Sequence, residues 1–131
     1  MATGKGSIKV KYIPMKQGEH ELYLFSIPAA ELWGRVKINK REEDKEIGYQ
    51  RALSASRVNA ISKYVNKGKP IPLSVLVSLE KKVEIDKKRK TITFPPSADL
   101  GWVIDGQHRL AGIHKSNAKF EIGVIAFVGL S

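Results

Sequence analysis

The sequence predicts a compact sheet domain of the α+β or α/β class, on three observations. Short apolar runs with strand composition recur along the chain, at 8–12, 21–27, 71–79, 91–94, 100–104 and 120–128. Two other segments, 54–65 and 110–115, repeat their apolar residues at helical spacing instead. Charge-rich and Pro/Gly-rich stretches separate these runs, and no internal repeat or low-complexity tract interrupts them.

Met1 to Gly6 is small and polar and reads as a flexible tail, leaving residues 7–131 as one domain. Ile8, Val10 and Tyr12 alternate as a strand that Pro14 limits, and Glu21 to Ile27 forms a second strand. Pro28 opens a short helix or turn through Leu32, since proline suits the start of a helix. Arg35 to Ile47 is charged and weakly patterned, which predicts a loop or exposed connector. Ser54 or Ser56 can cap a helix whose apolar face is Val58, Ile61, Tyr64 and Val65, ended by Gly68. Lys81 to Lys90 spans a hairpin between Ile71–Leu79 and Thr91–Phe94, and Pro95 to Asp99 is a loop. Leu100 to Ile104 is a short buried strand, Leu110 to Lys115 a helix closed by Asn117, and Phe120 to Val128 a long apolar strand.

The 131 residues suffice to bury a core, and 42% hydrophobic with 27% charged content is ordinary for a soluble globular protein. The absence of cysteine excludes disulfides, thiolate zinc sites and thiol nucleophiles. No apolar run approaches membrane-span length and no signal peptide is visible, so a cytoplasmic protein without membrane partners is expected. The net charge of +10 points to an anionic partner, nucleotide or nucleic acid.

The chemistry concentrates at Asp105-Gly106-Gln107-His108-Arg109, between an apolar strand and a helix. Such a turn presents backbone N–H groups at the positive end of the helix dipole, where an anion can sit. Gly106 lets the backbone approach that anion without a Cβ, and Arg109 can grip two phosphate oxygens. Asp105 stands where it can bind Mg²⁺ through phosphate or orient a water. Taken singly, these residues also suit a helix cap, a surface imidazole and a solvated charge; together they favour a phosphate site.

These five residues resemble the signature of DGQHR-domain proteins, the group that includes DndB-type proteins of DNA phosphorothioation systems. Upstream, Gln50-Arg51, Arg57-Val58, Ile61, Tyr64-Val65 and the Pro70–Leu79 strand are similar too, so the resemblance runs from about Gly48 to Val128. It implies an α+β, ParB/sulfiredoxin-like mixed sheet with flanking helices. There Gly106, Gln107, His108 and Arg109 cradle nucleotide phosphates, and Asp105 is the catalytic or metal-orienting acid. Relatives of that superfold include ParB-type CTPases, ADP-dependent serine kinases with a DGHHR turn, and restriction-type NTPases with a DGQQR turn. Sulfiredoxins place a cysteine in the turn, and this chain has none, which excludes their thiol chemistry. DndB-type proteins are longer, so the end at Gly129-Leu130-Ser131 is expected to be a truncation of a longer parent.

Arg51 and Arg57 are further phosphate-binding candidates on the strength of the resemblance, with Gln50 weaker. Lys87, Lys88, Arg89 and Lys90 read either as a DNA-backbone clamp or as a solvated hairpin tip protecting a sheet edge. Trp102 is expected in the core, whereas Trp33 could stack a base or pack on the sheet. His20 and His114 lack partners at metal-ligand spacing, so no metal site built of protein ligands is expected. Neither a Walker A sequence nor a G-x-S-x-G elbow occurs.

The expected function is a nucleotide-binding, NTP-hydrolysing domain of a bacterial DNA-modification or DNA-defence protein. Mg²⁺ would accompany the nucleotide, and DNA and other DNA-modification proteins would be partners. The rival is a DNA-binding transcriptional regulator without catalysis, governing a phosphorothioation gene cluster. A ParB-like nuclease is disfavoured, because no clustered acidic metal site is visible.

Overall fold

The computed structural model describes residues 6–38, 53–116 and 118–129. Along the chain run β1 (Ile8–Lys11), β2 (Ile13–Gln17), β3 (His20–Pro28), α1 (Ala29–Trp33), α2 (Ala55–Asn66) and β4 (Val75–Leu79). They are followed by β5 (Glu84–Asp86), β6 (Thr91–Phe94), β7 (Gly101–Asp105), α3 (Gln107–Lys115) and β8 (Glu121–Val128). A five-stranded sheet has the order β2-β3-β8-β4-β7, and a three-stranded sheet the order β1-β6-β5. Among the described strands only β4 and β8 pair in parallel, and the other strand pairings are antiparallel. The chain is thus an α+β protein with a mixed sheet and flanking helices.

The expected N-terminal strand is in fact two, one in each sheet. Tyr12 lies between them, buried, its N–H donating to the Lys90 carbonyl at 2.9 Å. Pro14 does not stop the second strand, because β2 is an edge strand and one of its N–H rows has no ladder to serve. β4 starts only at Val75, after two prolines that cannot donate to a sheet. It lies between β8 and β7, with Val75, Val77 and Leu79 buried in the core and Leu76 half-buried on the other face.

α2 is capped by Ser54, whose Oγ accepts from the Arg57 N–H at 3.4 Å. Its buried residues are Ser62 and Val65, whereas Tyr64, expected on the apolar face, is 42% exposed. α3 begins at Gln107, three residues before the expected start, because the positive φ of Gly106 turns the chain out of β7 in one residue.

One face of the large sheet is the core. Tyr23, Phe25 and Ile27 of β3 stand beside Ala126, Val124 and Ile122 of β8 in register. The small sheet packs here, with Phe94 5.6 Å from Phe25 and Tyr12 edge-on to Tyr23 at 4.8 Å. Leu110, Ala111 and Ile113 bury α3, and each fully buried aliphatic side chain contributes roughly 1.5–3 kcal/mol. Gly112 is where α3 meets α2, since a Cβ there would run into the Ile61 side chain.

Arg35 departs from the expected exposed connector. It is 5% exposed and donates to Glu31 Oε1 (2.6 Å), Gly6 O (2.6 Å), Glu31 O (3.2 Å) and Pro95 O (3.3 Å). Lys37 then bridges in parallel to Trp102, adding to the free edge of β7. The remainder of the predicted connector and the Asn117 stop lie outside the described residues. Among the described residues, no helix is long and apolar enough to cross a membrane.

Candidate functional site

Asp105 is the last residue of β7 and is exposed, paired in register with Leu76 of β4. Gly106 follows as the N-cap of α3 with φ +99°, a conformation that glycine adopts at no steric cost. A Cβ at this position would lie 2.7 Å from Val75 Cγ1 and 3.0 Å from Arg109 Nη2. Only glycine fits the corner on both counts.

Three side chains of the turn are held by the protein itself. Gln107 folds back on the strand, its Nε2 donating to Ile104 O at 3.2 Å and Val103 O at 3.4 Å. His108 Nε2 accepts the Ser54 N–H at 2.9 Å, which joins the start of α3 to the start of α2. Arg109 Nη2 donates to the Ser74 carbonyl at 2.7 Å, anchoring the approach to β4. Its Nε–H is buried without a hydrogen-bond acceptor among the described residues, which leaves one guanidinium donor unsatisfied there.

The consequence is a shared end for two helices. Ser54 meets His108, Ile61 meets Gly112 and Asn59 takes the Lys115 ammonium, so α2 and α3 lie side by side with their N-termini together. Neither helix has an acidic residue in its first turn, and no side chain caps α3. Each N-terminus carries about half a positive charge, so two adjacent ends repel unless an anion lies between or near them. Ser56, whose hydroxyl is 3.2 Å from that of Ser54, and Arg57 occupy the exposed first turn of α2.

Arg57 thus lies at the same end as the turn, whereas Arg51 and Gln50 lie outside the described residues. Two contributors were not foreseen as part of the site. Ser74 offers only a backbone carbonyl, which no sequence pattern marks. Ser54 was legible as a cap but not as the partner of His108, 54 residues away.

A basic hairpin forms, but not between the expected arms: an unpredicted strand, β5, pairs with β6, while β4 lies in the other sheet. Asp86 Oδ1 accepts from the N–H groups of Lys88 and Arg89, both at 3.0 Å, and closes the tip. Lys90 adopts φ +58°, the only non-glycine residue with positive φ among those described. Lys87 lies 3.8 Å from Glu21, while Lys88, Arg89 and Lys90 are exposed and make no ion pair among the described residues. Trp33 is half-buried and stacks one ring face on His114 at 4.2 Å, nearly parallel. No group of three His, Asp or Glu side chains with metal-binding geometry occurs among the described residues.

An α+β sheet domain with an Asp-Gly-Gln-His-Arg corner at the start of a helix is the class that fold and site define. The chain belongs to the DndB family, described as DNA-sulfur modification-associated, whose family model matches residues 10–129. That membership ties the protein to a DNA-sulfur modification system. No curated protein and no solved structure gives a significant match.

Proposed function

We propose that the corner binds the phosphates of a nucleotide and that the domain hydrolyses it. The observation that carries this reading is the meeting of two helix N-termini at the Ser54–His108 hydrogen bond, with no acidic side chain in either first turn. A phosphate there would turn dipole repulsion into attraction, worth about 0.3–1 kcal/mol per helix end at an exposed site. The Arg109 Nε–H, lacking an acceptor among the described residues, and the Cβ-free surface of Gly106 support the same ligand. Ser56 and Arg57 add donors from α2.

Asp105 is the acid nearest this corner in sequence, and one carboxylate suits Mg²⁺, which is bound largely through phosphates and water. When bound, Mg²⁺ held by the phosphates and Asp105 would neutralise charge developing on the leaving oxygen. Alternatively, with Mg²⁺ held by the phosphates and water alone, Asp105 would orient the attacking water and accept its proton as the new O–P bond forms and the bond to the leaving phosphate oxygen breaks. Calorimetric titration with ATP, GTP and CTP, with and without Mg²⁺, tests binding, and phosphate release by Asp105→Ala tests the reaction. Unchanged turnover in that variant removes Asp105 from the chemistry. No binding to any of the three removes the nucleotide reading.

A second reading is supported by the hairpin tip: a DNA-binding regulator without catalysis. Lysine in the left-handed conformation is strained where glycine would not be, and Lys90 keeps four cations consecutive at the end of a projecting hairpin. Such a tip would contact phosphates without reading sequence, with DNA, alone or with other DNA-modification proteins, as the partner. Gel shifts across a salt series decide this. Lys88→Ala/Arg89→Ala should flatten the salt slope by roughly one unit per lost contact. Asp105→Ala should bind as wild type does. An unchanged slope in the double variant excludes the tip.

A further inference from the structure

We propose that the outer face of the five-stranded sheet carries the base-binding half of the nucleotide site, taking a flat nucleobase; this rests on the phosphate reading of the corner. The register aligns Ile13, Leu24, Ile125 and Leu76 across four strands, and a bulge in the β4–β7 pairing, with Ile104 as the extra residue, sets Asp105 opposite Leu76 at the end of that apolar row. This is the face opposite the core. Ile13 on it is 68% exposed, and Leu24, Ile125 and Leu76 are half-buried.

Along the Ile13–Leu24–Ile125 part of this row lies a groove of about 580 Å³, lined also by Ser26, Ser74 and Gly123. That volume falls among ordinary small-ligand sites, which are mostly apolar with a few polar groups at the edge. Ser74 belongs to both halves: it lines the groove, and its carbonyl accepts from Arg109 of the corner. Asp105 and Ile125 flank the same residue of β4, so they stand two strand spacings apart, roughly 10 Å. A ribose with its phosphates bridges such a gap.

Gly123 supplies a separate indication. It sits inside β8, opposite Ser26, without a positive φ, and an added Cβ would meet Ser74 Cβ at an ordinary 3.4 Å. Neither backbone conformation nor crowding within the chain requires glycine here, and glycine weakens a strand interior. What it provides is a bare patch of backbone beside the Leu24–Ile125 strip, against which a planar ring can lie. Ser26 Oγ, tied to Glu121 Oε1 at 2.7 Å, places a fixed polar pair at one end of that patch.

The test is an amide-resolved NMR titration with Mg²⁺ complexes of ATP, GTP and CTP and with tripolyphosphate, which has no base. Tripolyphosphate should move the amides of Ala55–Arg57 and Gly106–Leu110 only. At least one nucleotide should also move Leu24, Gly123 and Ile125, and bind about tenfold or more tightly than tripolyphosphate. Gly123→Val keeps a strand-favouring residue and fills the patch, so it should bring that nucleotide to the tripolyphosphate level. Ile125→Thr, a smaller change, should weaken the nucleotide and leave tripolyphosphate unaffected. Silence of the corner amides towards tripolyphosphate overturns the phosphate reading and this inference with it. Corner shifts with nucleotides no better than tripolyphosphate, or undiminished nucleotide preference in Gly123→Val, overturn the base site alone.

Discussion

Replacing Arg109 with alanine separates a structural role from a ligand-binding one. The guanidinium gives Ser74 O a charge-assisted hydrogen bond of 2.7 Å in a half-buried setting. Losing such a bond, with the carbonyl left behind, costs about 1.5–3 kcal/mol. The aliphatic stem adds to this and removal of the buried, unsatisfied Nε–H offsets part of it, so about 2–3 kcal/mol is expected in total. For a domain of 131 residues the unfolding entropy makes that a fall in Tm of roughly 7–11 °C. Urea unfolding should show a lower midpoint at an unchanged slope, since the same surface is exposed. Nucleotide titration must then be run well below the lowered transition, so that weak binding is not confused with unfolding. Arg109→Lys keeps the charge but not the fork, and should recover stability better than nucleotide affinity. A Tm for Arg109→Ala within about 2 °C of wild type would refute the reasoning, because a strut of this geometry cannot be removed for so little.

Gly106→Ala should destabilise by about 2–5 kcal/mol, summing a left-handed penalty of ~1–2 and overlap with Val75 of ~1–3, as read by chemical unfolding. Arg35→Met should cost about 3 kcal/mol, since Glu31 and three carbonyls lose a buried donor, and Arg35→Met/Glu31→Gln should recover part of it. Asp99 is held at a pKa of about 2, against an ordinary 3.8, first by the Ser97 hydroxyl and then by Lys82. Its folded-state value is depressed, so whatever it contributes to stability is complete above 3.8 and is lost as pH falls through about 2. Carboxyl NMR titration of Ser97→Ala should show that value moving up towards 3.8, and an unmoved value would contradict the assignment of the hydroxyl as the main cause.

Much of this protein was legible without coordinates, where the physics is local. Alternation and apolar runs marked six strands, and the basic run through Lys87 to Lys90 was legible as a tip, although the short arm Glu84–Asp86 that pairs with β6 was not. Gly106 was readable as the corner because a strand must leave its sheet there to start a helix. Local signals misled where burial came from distant elements. Arg35 sits in a charged run that reads as solvent-facing, yet Gly6, Glu31 and Pro95 gather around it from three separate segments. Pro14 reads as a stop only until β2 is known to be an edge.

The sequence by itself determined the fold class, the position of the turn and the residues available to it, because periodicity and turn chemistry act over a few neighbours. The tertiary structure alone decided what those residues do. It set His108 against Ser54 and Arg109 against Ser74, partners that no local pattern selects. It also brought two helix starts to one point and set Asp105 at the end of an apolar row across four strands. Those arrangements follow from sheet order and register, which depend on contacts between residues far apart in the chain.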